Sequence, residues 1–255
     1  MTQDLATAIA DQQPAQRRTA FDLVESMRGE LHKALPEHAS IDNFLRLALT
    51  ELKMNPQLGN CSGESLLGAL MTAARVGLEV GGPLGQFYLT PRRLKRDGWA
   101  VVPIVGYRGL ITLARRAGVG QVNAVVVHEG DTFREGASSE RGFFFDWEPA
   151  VERGKPVGAL AAARLAGGDV QHRYLSLAEV HERRDRGGFK DGSNSPWATD
   201  YDAMVRKTAL RALVPLLPQS TALSFAVQAD EQVQRYDAGD IDIPALDETD
   251  TEDTK

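Results

Sequence analysis

Residues 55–118 confine the fold more tightly than any other part of the chain. From about Ser62, a helical pattern of Leu66, Leu67, Leu70, Met71, Ala73, Ala74 and Leu78 leaves little polar surface, so this segment has to be covered on several sides. Gly81-Gly82-Pro83 stops it, because proline withholds a backbone donor and glycine has no helix preference. Two runs of strand character follow, residues 86–90 and 100–105, and between them stand Arg92, Arg93, Lys95 and Arg96. The spacing predicts a hairpin with these cations in its loop. Gly106 then opens a further helix. There Tyr107, Leu110, Ile111, Ala114 and Ala117 face one way, while Arg108, Thr112 and Arg115, at i, i+4 and i+7, face another.

The flanking segments fill out an α+β domain. Phe21, Val24, Met27 or Arg28, Leu31 and Leu35 form one helical stripe, and Ile41, Phe44, Leu45, Ala48, Leu49 and Leu52 a stronger one that ends before Asn55-Pro56. Between residues 121 and 175 the runs QVNAVVV, FFFDW, VGALAAARL and QHRYL read as strands separated by Gly-rich turns, an antiparallel meander. A charged helix over 176–186, a Gly/Ser/Asn loop leading to Pro196-Trp197, and a helix capped by Thr199 with Asp202 three positions on close the domain. The expected organisation is a flexible arm over 1–18, one domain over 19–236 and an acidic, disordered tail over 237–255, with an antiparallel sheet and hairpin core packed by helices.

Charge is placed unevenly. Residues 75–118 hold eight basic and two acidic side chains, a local +6 in a chain of net −6. Residues 237–255 hold eight acids and one base, a net −7, which leaves +1 on the rest. A local cationic excess of this kind suits a polyanion. One cysteine, Cys61, excludes an intrachain disulfide and a cysteine metal cluster, which fits a reducing compartment. The first residues include Asp4 and Asp11 and lack a signal-peptide pattern, and no run approaches the ~20 apolar residues of a membrane span. A cytoplasmic protein without a membrane partner is expected.

Cations on a hairpin and on a neighbouring helix can neutralise successive phosphates, releasing condensed counterions without reading sequence. The bland alternative is a solubilised hairpin tip, which the Arg108/Arg115 row disfavours. Aromatic faces supply the second requirement of single-strand binding, because every base can stack. Phe87, Tyr88, Tyr107 and Trp197 are the candidates; strand and helix positions favour core packing for Phe87 and Tyr107, whereas Trp197 sits in a polar loop. Lys207 and Arg211, one turn apart beside an apolar face of Tyr201, Met204, Val205, Thr208, Ala212 and Leu216, could clamp a backbone or form a solvated flank. Arg75 and Arg116 are weaker candidates because Glu64 or Glu79 could neutralise them. Arg183, Arg184 and Arg186 alternate with Glu179, Glu182 and Asp185 and so neutralise themselves.

Two enzyme classes are disfavoured. Residues 77–82 have the glycine spacing of a phosphate loop, but Pro83-Leu84 stands where lysine and a hydroxyl residue are required. His128, Glu129 and Asp131 cluster at a strand end, yet in a strand His128 and Glu129 point to opposite faces; a turn stabilised by Asp131 is the better reading than a metal-dependent nuclease.

Four words, NPQLGNCSGESLLGALMTAARVGLEVGGPLGQFYLTP, VVPIVGYRGLITLARRAG, HEGDTF and SPWATDYDAMVRKTALRALVPLLP, occur in an order and spacing that resembles the phage RecT recombinases. The resemblance covers roughly residues 41–218; the amino-terminal arm, residues 141–155 and the acidic tail depart from it. It implies a single-strand annealing protein with a Rad-type annealing fold, acting without ATP and without bond-making or bond-breaking chemistry. No cofactor is required, although magnesium could arrive with the DNA. It also implies oligomerisation into rings or helical filaments, with partners that include single-stranded DNA, annealed duplex DNA, a RecE-like exonuclease and host single-strand-binding protein. The shared SPW word raises Trp197. The expected DNA-contact set is therefore Arg92, Arg93, Lys95, Arg96, Tyr107, Arg108, Arg115, Trp197, Lys207 and Arg211. A passive single-strand-binding module is the alternative.

Overall fold

The computed structural model describes residues 19–94, 98–140, 142–186 and 196–238, so Lys95, Arg96, the 1–18 arm and the tail beyond Ala238 lie outside the described residues. Thr19 starts α1 (Ala20–Ser26) with a capping box, its hydroxyl accepting from the Asp22 amide and the Asp22 carboxylate accepting from the Thr19 amide. A break at Met27 separates α1 from α2 (Arg28–Ala34), and the pair buries Val24 and Leu31 completely. α3 (Ile41–Met54), capped by Ser40, turns Phe44, Leu45, Ala48 and Leu52 inward. α4 (Gly63–Val76), capped by Ser62, is the most enclosed helix of this half, and Gly77 ends it at a φ of 63° that a side chain would resist.

The predicted hairpin is present. β1 (Phe87–Leu94) and β2 (Gly98–Val105) pair antiparallel from Phe87 opposite Val105 to Leu94 opposite Gly98. The ladder continues past the expected strand ends, so Arg92 and Arg93 are strand residues opposite Ala100 and Trp99, not loop residues. Burial ends before the pairing does, because ladder hydrogen bonds need only the backbone. The Ser62 amide donates to the Trp99 carbonyl at 2.9 Å, and the Val101 amide to Ser65 Oγ at 2.9 Å, fastening the hairpin to the start of α4.

α5 (Tyr107–Arg116) leads into β3 (Val119–His128), β4 (Thr132–Ser138), β5 (Gly142–Glu148), β6 (Pro156–Leu165) and β7 (Val170–Ser176). These do not form a meander. β3, β6 and β7 make one antiparallel sheet in that order, while β4 and β5 form a separate hairpin. The core face of the sheet presents Val122, Ala124 and Val126 of β3 and Ala159, Ala161 and Ala163 of β6. Those small β6 side chains let α8 (Tyr201–Leu213) lie close across the strands. α6 (Leu177–Arg186) and α5 pack beside it. The β4–β5 hairpin lies over the other face. Phe133 packs on Tyr174 with ring centroids 4.5 Å apart and Phe145 on His172 at 5.0 Å, leaving an open cleft of about 540 Å³ toward β3.

The short α7 (Pro196–Thr199) corrects the expected cap. Thr199 closes that turn, and α8 starts from Asp200 without a side-chain cap. The last helix, α9 (Thr221–Ala238), packs on β2, α4 and α5. It carries Asp237 within a helix, one step past the predicted tail boundary. Among the described residues no helix is long and apolar enough to cross a membrane.

Candidate nucleic-acid interface

α5 has the two-sided character that its spacing predicts. Gly109, Leu110, Leu113 and Ala114 are buried, whereas Arg108, Arg115 and Arg116 are exposed. The three arginines have different surroundings. Arg116 Nη1 donates to the Gly77 carbonyl at 2.7 Å and reaches that of Val76 at 3.4 Å, satisfying the carboxyl end of α4. Arg108 Nη1 reaches the Pro83 carbonyl at 3.4 Å, and its Nε donates to the Tyr107 hydroxyl at 3.2 Å. Arg115 forms no ion pair among the described residues. Arg75 sets its guanidinium over the Phe225 ring, 3.9 Å from the centroid, and so anchors α9 to α4. Arg75 and Arg116 therefore serve a ring and helix carbonyls, not Glu64 or Glu79 as the sequence suggested.

The hairpin cations form a second group. Arg93, opposite Trp99, is exposed, Arg92, opposite Ala100, is half-buried, and Trp99 itself is 45% exposed. Arg93 lies six residue steps along β1 from Phe87 at the hairpin base, which places the cationic end about 20 Å from the start of α5. Strand alternation puts Arg92 on the face of Tyr88, where it extends the surface that begins at Arg108, and Arg93 on the opposite face of the hairpin.

At the base, aromatic groups meet Arg108. Tyr88 is 46% exposed, and its hydroxyl is pushed above the ordinary tyrosine range mainly by burial and next by Asp200, with Arg108 opposing. Tyr107 is half-buried against the core. Gly106, which joins β2 to α5, is required here: a Cβ would overlap the Gly85 carbonyl oxygen and approach Tyr88 Cε2 at 3.0 Å. Phe87 is wholly buried and belongs to the core.

On α8 the structure rotates the expected face. Val205, Lys207, Ala209, Leu210 and Leu213 point inward, and Lys207 is only 8% exposed, so it lies within the domain instead of on an open flank beside Arg211. Arg211 is half-buried. The neighbour that reaches the α5 surface is Arg206, whose guanidinium carbon lies 5.4 Å from the Tyr107 centroid. Sequence reasoning passed over it because the helix face is set by packing on α5 and β6, which the local pattern does not contain. Trp197 is half-buried against the core and meets Tyr201 edge-on at 6.1 Å; the Tyr201 hydroxyl bonds His181 Nε2 at 2.7 Å. The indole therefore braces the α7–α8 junction, with part of its surface outward.

The two enzyme-like clusters resolve into structure. The carboxylate of Asp131 is fully enclosed and accepts five hydrogen bonds. Ala150 N and Arg153 Nε reach Oδ1 at 3.1 and 3.0 Å; His128 N, Trp147 Nε1 and Arg153 Nη2 reach Oδ2 at 3.1, 3.1 and 2.6 Å. The Arg153 bonds chiefly, followed by the backbone amides, hold its pKa far below the usual carboxylate range against the opposing effect of burial. Asp131 is a structural knot at the foot of the β4–β5 hairpin. Among the described residues no group of three or more His, Cys, Asp or Glu is placed to hold a metal ion. In the glycine turn of residues 77–82, the Glu51 carboxylate fills the space over Gly81, so an anion meets negative charge where a phosphate loop offers amides.

The sequence model of the RecT family matches residues 42–244. Protein RecT of Escherichia coli (strain K12) is 36% identical over 212 residues, which cover 81% of this chain and 77% of that protein. An uncharacterized Bacillus subtilis (strain 168) protein, YqaK, is 28% identical over 151 residues, covering 59% and 50% respectively.

Proposed function

The chain belongs to the RecT family, and from that membership we propose that it binds single-stranded DNA along the α5 and β1–β2 surface and promotes annealing of complementary strands in phage recombination. The observation that carries the reading is the exposed pair Arg108 and Arg115 on one side of α5, continued by Arg92 on the Tyr88 face of the hairpin. A strand that follows these cations loses much of its phosphate repulsion, while its base edges stay available to a second strand. Base pairing then supplies the specificity, and no nucleotide hydrolysis enters.

Annealing near saturation of the strand requires neighbouring copies, so the active form is an oligomer on DNA. A RecE-like exonuclease and host single-strand-binding protein are the partners that would supply and present the strands in the bacterial cytoplasm. The test is annealing of two labelled complementary oligonucleotides without nucleotide, with and without magnesium, while protein is titrated and complex size is followed. Faster duplex formation near strand saturation is expected. Saturated binding with annealing no faster than in protein-free controls would replace this reading with a passive single-strand-binding module, and strand cleavage would replace it with a nuclease.

A further inference from the structure

We propose that Tyr107 is a positioning residue that sets Arg108 and Arg206 together as one two-guanidinium grip on the phosphates of single-stranded DNA. This deepens the annealing reading and rests on it. Arg108 comes from α5 and Arg206 from α8, yet their guanidinium carbons lie 5.8 and 5.4 Å from the centroid of the same ring. Both fall inside the roughly 6 Å reach over which a ring face attracts a cation. The Tyr107 hydroxyl also accepts from Arg108 Nε at 3.2 Å, and the Pro83 carbonyl holds one end of the same guanidinium at 3.4 Å.

Charge completes the case. Two like cations gathered on one half-buried ring repel each other, and among the described residues no ion pair neutralises either one. Arg206 Nε is sealed from solvent with no hydrogen-bond partner there, so its hydrogen-bonding capacity falls to the terminal nitrogens. A guanidinium fork of that kind matches phosphate oxygens. The ring itself is engaged by both cations and packed on the core, which leaves it poorly placed to stack on a base.

The salt dependence of binding distinguishes these roles, because each phosphate contact on a single strand contributes about 0.7 to the slope of log K against log salt. We would measure binding of fluorescein-labelled oligo(dT) by anisotropy over a range of KCl for the wild type, R108Q, R206Q, Y107L and Y107F, with thermal melting of each. R108Q and R206Q should each flatten the slope by about 0.7. Y107L should flatten it by about 1.4 although it removes no charge, and Y107F, which keeps the ring, should recover at least half of that. A Y107L that binds more weakly at an unchanged slope makes the ring a base-stacking platform and overturns the proposal. An unchanged slope in R206Q also overturns it, and that result stands even if Y107L does not fold. Wild-type protein that binds no single strand defeats the annealing reading as well, whereas wild type that anneals with an unaltered Y107L slope defeats only this inference.

Discussion

Replacing Asp131 with Asn changes almost no volume and removes one charge, so its cost isolates the knot beneath the β4–β5 hairpin. In either orientation the new amide turns its NH2 toward donors: toward Ala150 N and Arg153 Nε, or toward His128 N, Trp147 Nε1 and Arg153 Nη2. A buried donor left unsatisfied costs about 1–3 kcal/mol. The Arg153 side chain is 36% exposed and can recruit water, which removes part of that penalty. The sum falls near the ~3–5 kcal/mol of breaking a buried ion pair, a large share of the ~5–15 kcal/mol that holds a domain together. Urea unfolding followed by circular dichroism and by tryptophan emission gives the difference at pH 7. Acid provides the second arm. The folded carboxylate titrates far below its unfolded value, so its stabilisation is complete above the unfolded pKa of ~3.9 and is lost as pH falls toward the folded value. By pH 3 the gap between wild type and D131N should narrow by about 1 kcal/mol. A cost under about 1 kcal/mol at pH 7, or a gap equal at both pH values, would refute the reasoning.

Charge reversal of the exposed Arg115 to Glu should weaken single-strand binding, flatten its salt slope by at least about 0.7 and leave the melting temperature within a degree or two, as titrations over KCl and a thermal melt would show. Removing the residues after Ala238 takes seven acids and one lysine from the chain. If those charges compete with DNA for the α5 surface, the shortened protein should bind several-fold more tightly at low salt and equally at high salt, where screening ends the competition; equal affinity at every salt concentration rules competition out.

What the sequence disclosed and what it withheld divide along physical lines. The 3.6-residue repeat of α5 was legible because Arg108 and Arg115 recur against a buried Leu110 and Ala114, and the β1–β2 hairpin was legible because glycine and proline punctuate its approach. β4 escaped notice: TFREGAS has no buried residue, so it carries no alternation to read. The pairing of β3 with β6 escaped as well, since a register between strands separated by a whole hairpin is decided by packing and not by neighbours in the chain. Lys207 misled for a related reason. Its long aliphatic stem lets it lie inside a helix face that its charge would seem to forbid, and that shift of face brings Arg206 to Tyr107.

Among the described residues the β4–β5 hairpin shares no strand ladder with the sheet it covers. The contacts that lifting it would break include two ring contacts, the 3.7 Å approach of His172 to Glu135 and the Trp147 bond to Asp131, while the ladder hydrogen bonds that pair β3, β6 and β7 do not involve it. Phe143 is already 83% exposed, so less new apolar surface meets water than a buried strand would release. We expect the hairpin to open before the sheet does. Its amides should exchange with solvent through a low-energy local excursion hinged at Asp131, at a rate decoupled from global unfolding, while those of β6 wait for the whole domain to come apart.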